Sequence, residues 1–134
     1  MLNKKKAQTA IEFLLLLGGA LIFIVAFTAT FQHQVTEKKL EKRNFLFQEL
    51  ALTVQNELNI AASASDGYRR EFNIPQQITG LDYGITLIEN FIYINSTDGK
   101  QALSLPAQNA TGQFITGSSN VIEKRNGIIY VNSP

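Results

Sequence analysis

The stretch "KKKAQTAIEFLLLLGGALIFIVAFTATF", residues 4–31, decides how the rest of the chain is read. From Phe13 to Phe31 there is no charged residue. As a helix those 19 residues span about 28 Å, close to the thickness of a bilayer's hydrocarbon core. A soluble core helix is rarely apolar on every face for five turns in so small a protein. A removed secretory signal is a second reading, with the small residues of "AFTAT" (26–30) as its cleavage site. Signal h-regions are shorter, about 7–15 residues. The expectation is a membrane-length helix. Glu12, set between three lysines and that run, then needs a reason, because a lone carboxylate at a membrane edge is costly.

Working outward, the 134 residues allow one ordinary domain plus an appendage. Three of the twelve basic residues are Lys4, Lys5 and Lys6, and without them the formal charge falls from +1 to −2. Nucleic acid is therefore not an expected partner, since it normally demands a basic face. There is no cysteine, which excludes a disulfide framework and a thiolate metal site. His33 is the only histidine, so a metal cluster or a Ser-His-Asp triad lacks parts. No phosphate loop or paired carboxylates stand out; neither an enzyme nor a cofactor is expected.

No proline or glycine interrupts residues 20–66, so one helix is expected from about Gln8 to about Ser63, roughly 80 Å long. It stops at Asp66-Gly67. On a helical wheel, Leu40, Leu50, Ala51, Val54, Leu58, Ala61 and Ala62 fall within about 60° of Phe47. Beyond residue 67 the period changes. "REFNIP", "YGITLIE", "FIYIN", "ALSLP", "NVIEK" and "GIIYVN" read as short strands, with turns at Asp98-Gly99 and Asn126-Gly127. The short connections predict an antiparallel meander whose apolar face is covered by the Phe47–Val54 stripe. The fold class is α+β: a long N-terminal helix with a small C-terminal antiparallel head.

This layout resembles the type IV pilins, and its start resembles archaeal pilins with a class III signal peptide. In that family a basic leader ending in Gly or Ala precedes a mature start of the form Q-x-S-x-E-x-x-x-L. Here the leader is residues 1–7, ending at Ala7, and the motif falls on Gln8, Glu12 and Leu16. Ala10 stands where the pattern has Ser. The resemblance implies cleavage between Ala7 and Gln8 by a prepilin peptidase. It implies an apolar helix (8–35), an amphipathic continuation (36–66) and an outward-facing head (67–134). It also implies, as partners, membrane lipid, an assembly ATPase, a platform protein and finally copies of the chain itself in a surface filament for adhesion or motility. A minor pilin or pseudopilin, and a monomeric membrane-anchored binding module, are the alternatives.

Several residues carry specific expectations. Cleavage creates an α-amine on Gln8, positive at neutral pH, near the Glu12 carboxylate; the alternative role of Glu12 is to favour the helix N-terminus. Gly18 and Gly19 allow close backbone approach in a helix bundle, or local unwinding, or are simply tolerated. Lys38, Lys39, Lys42 and Arg43 interleave with Glu37 and Glu41 as a solvated face. Asn95-Ser96-Thr97 and Asn109-Ala110-Thr111 fit the N-glycosylation pattern. Phe45 and Leu52, seven apart, are left over on the side away from the stripe, beside Gln48, Asn56 and Asn59. They are the expected subunit interface.

Overall fold

The computed structural model describes residues 2–133. A single helix, α1 (Leu2–Ser63), is followed by eight strands: β1 (Arg69–Ile74), β2 (Gln77–Ile78), β3 (Leu81–Ile88), β4 (Phe91–Ser96), β5 (Ala102–Pro106), β6 (Ala110–Gly112), β7 (Ser118–Arg125) and β8 (Ile128–Val131). The chain divides between Leu40 and Glu41 into two units.

The first unit is helix. None of its apolar membrane-length stretch is buried. Its polar side chains turn inward on the backbone: the Thr28 hydroxyl donates to the Ile24 carbonyl at 2.8 Å and that of Thr30 to Ala26 at 2.9 Å. A helix in hydrocarbon needs that self-sufficiency, because no solvent is there to satisfy a free hydroxyl. Phe23, Phe27 and Phe31 recur every four residues, so their rings stack in a ladder with centroids 6.4 Å apart. The helix begins at Leu2 rather than at Gln8. Lysine and alanine are good helix formers, and nothing in the leader breaks the turn.

In the second unit α1 is amphipathic. Phe47, Leu50, Ala51, Val54, Leu58 and Ala61 are buried, at the three- and four-residue spacing that keeps one face inward. They share a core with Ile74, Ile92, Ile94, Ile122 and Val131. Phe47 meets Tyr83 edge to face at 5.9 Å. Leu40 stays exposed and does not join the core, which begins at Leu46 and Phe47.

The strands form two sheets rather than one meander. One is ordered β2-β3-β4-β5, all neighbours antiparallel and sequential; the other is β1-β7-β8-β6. The first is what short connections dictate. In the second, β1 pairs with β7 far along the chain, and β6 runs parallel to β8. Gly112 makes that parallel pair feasible: its φ is +123°, and a Cβ there would stand 1.9 Å from the Val131 carbonyl oxygen. Only glycine fits. The β7–β8 hairpin turns on Asn126 and Gly127 with φ of 52° and 75°, as its sequence requires.

The helix C-terminus is closed by a distant residue. Lys124 of β7 donates from Nζ to the carbonyls of Ala62 at 2.7 Å and Ala64 at 2.8 Å. A cation there satisfies orphan carbonyls and complements the helix dipole. The Gly127 amide donates to Asp66 Oδ1 at 2.9 Å, fastening the turn that follows the helix to the hairpin.

Candidate processing and assembly site

Lys4, Lys5, Lys6, Ala7, Gln8 and Glu12 are all exposed and all helical. The Gln8 side-chain amide donates to Glu12 Oε1 at 3.3 Å, one helical turn on. Gln8 and Glu12 therefore already share a face before any cut. The Thr9 hydroxyl instead donates to the Lys5 carbonyl at 3.0 Å. The leader's first turn carries no acidic residue. Three lysines at the positive end of a helix dipole weaken that turn, and they repel one another.

Downstream, the large side chains from Phe13 to Phe31 are exposed. A Cβ added at Gly18 or Gly19 meets nothing within 4 Å. Neither glycine is demanded by contacts within the chain, and each spends helix stability.

On the second unit, Phe45 is 63% exposed and Leu52 47% exposed. With Gln48, Glu49, Thr53 and Asn56 they line a shallow groove on the helix surface. Just beside it, Arg43 stands 3.5 Å from Asp98 Oδ2, and the Gln101 side-chain amide donates to that of Asn44. The β4–β5 turn is thus tied to the helix. The Asp98 carboxyl is held below its usual range chiefly by the Ser96 hydroxyl and the Lys100 backbone N–H that donate to it, with Arg43 adding to the effect. Tyr83, whose hydroxyl donates to the Pro75 carbonyl, is pushed up to about 12 by burial.

The structure places the two sequons differently. Asn95 lies half-buried next to the last residue of β4, and Asn109 is exposed just before β6. His33 sits 3.5 Å from Glu37, one turn along an exposed face. Two polar features have no sequence signal. Glu57 is buried beside Arg70, at 3.1 Å. Asn120 is fully buried, and its carboxamide bonds Ile115 on both its N–H and C=O. A lone Glu or Asn in a helix or strand looks the same whether buried or exposed, so only tertiary pairing reveals them.

No family model, curated protein or solved structure matches this chain.

Proposed function

We propose that the chain is a pilin: a subunit of an archaeal type IV pilus-like surface filament, made after cleavage between Ala7 and Gln8. The observation that carries the reading is the character of α1. Its N-terminal half is apolar and exposed all round, and its C-terminal half is the core of a β-rich head. A filament explains both halves, because bundling apolar helices buries the first while the heads face outward. It also explains why Phe45 and Leu52 stand free on the side away from the sheets.

Glu12 selects processed subunits in this account. Cutting before Gln8 removes three lysines and creates an α-amine one turn from the carboxylate. At about 4 Å and an effective dielectric near 20, that attraction approaches about 4 kcal/mol before desolvation is subtracted. An uncut chain offers no such amine and carries three extra positive charges into the bundle.

Electron microscopy of filaments sheared from expressing cells, against cells lacking the chain, tests the proposal. Filaments that disappear with the chain support it. A chain found only as a monomer in membranes favours an anchored binding module instead.

A further inference from the structure

Across β3, β4 and β5 the outer face is unlike an ordinary solvated sheet face, although Asp82, which accepts from Gln77, brings a charge to its β2 side. Cross-strand register places Gly84, Asn95 and Ala102 in one row and Thr86, Tyr93 and Ser104 in the next. The row beyond begins with the Ile88–Phe91 pair. None of these side chains is charged. Phe91 is 49% exposed and Tyr93 38% exposed, so an aromatic strip runs outward along β4 from Asn95.

Gly84 needs a separate explanation. It lies inside β3 without a positive φ, so no backbone conformation calls for glycine. Glycine inside a strand weakens it and often marks a close approach. A Cβ at Gly84 would stand 3.2 Å from Asn95 Oδ1. With Ala102 on the other side, Asn95 sits in a clearing made by the two smallest side chains. Tyr93, two residues earlier on the same face, borders that clearing.

We propose that this face is the bed of an N-linked glycan on Asn95, whose first sugar packs its apolar C–H face against the Tyr93 ring. An aromatic ring offers apolar area with a polar tip, which suits a sugar's mixed surface. In the transfer, Asn95 Nδ2 bonds to the anomeric carbon of a polyprenyl-phosphate-linked sugar. The bond from that carbon to the phosphate oxygen breaks, the phosphate leaves with the electron pair, and the amide proton passes to a base on the transferase. The Thr97 hydroxyl and amide both donate to the Asp82 carbonyl, at 2.9 and 3.0 Å. The folded head therefore closes the sequon, and transfer precedes folding of the β3–β4–β5 meander. Asn109 lies outside any strand, just before β6, with Ala107 rather than an aromatic residue two positions earlier. The inference rests on the proposed function only in needing the head outside the membrane.

The test uses the full chain, purified from membranes of an N-glycosylating host and from a host lacking the transferase. Glycopeptide mass spectrometry should find sugar on Asn95. The glycosylated chain should melt about 4 °C above the bare one. Tyr93→Ser should abolish that gain, Tyr93→Phe should keep it, and Asn109→Gln should leave it unchanged. A bare Asn95, or the same gain with Tyr93→Ser as without it, overturns the proposal. Filaments sheared from expressing cells report separately on the pilin reading, so filaments with a bare Asn95 would sink the glycan bed alone.

Discussion

In the proposed pilin, Glu12 is a side chain costly in one state and useful in the next. In the described chain its only side-chain partner is the Gln8 amide at 3.3 Å, a weak exposed contact. Under the proposed function its value lies in the charge that cleavage would create beside it. Glu12→Gln and Glu12→Ala should both leave membrane insertion intact, because each removes a charge at the hydrocarbon edge. Filament yield should fall sharply, and counting filaments against total membrane-inserted subunit measures it. Normal yield from both variants would leave Glu12 as a mere helix-end carboxylate. Asn120 illustrates the opposite kind of residue, fixed by folding alone. Its Oδ1 accepts from the Ile115 amide at 2.7 Å, and its Nδ2 donates to the carbonyls of Ile115 and Ser118 at 2.9 and 3.0 Å. Asn120→Ala strands several buried groups and should cost about 2–4 kcal/mol, read from the denaturant midpoint. Filament assembly of whatever stays folded should be unaffected.

Among the elements, legibility followed from how local each one is. The helix and six strands could be read from hydrophobic period and from the turns Asp98-Gly99 and Asn126-Gly127. The two-residue β2 and the three-residue β6, Ala110–Gly112, are too short to carry a period. The splitting into two sheets could not be read either, since β1 finds β7 across most of the head. The Lys124 cap on α1 is equally non-local, and nothing around Ser63 announces it. The surplus helix face was legible: subtracting the buried stripe left Phe45 and Leu52, and both are exposed beside Gln48 and Asn56. Burying both against neighbouring helices would contribute roughly 3–5 kcal/mol per subunit. Phe45→Ser combined with Leu52→Ser should spare the melting temperature of the head and block or weaken assembly. Filaments at wild-type yield, melting as before, would remove this face from the interface.

At the scale of the whole molecule, the proposed function has one helix serve two solvents in turn. Before assembly its apolar residues suit lipid; afterwards, in this account, they suit one another. The exposed run, the two uncontacted glycines and the free Phe45–Leu52 face each look wasteful in a lone chain, and each gains a use in a polymer. In the proposed filament, processing would join the two states, since it would strip the lysines and supply the amine. The most direct test is therefore mass spectrometry of the subunit in filaments sheared from cells, with allowance for glycans. The account predicts that filaments contain this chain beginning at Gln8. A filament fraction without the chain, or a chain there that keeps Met1 or begins near Thr30, would contradict it.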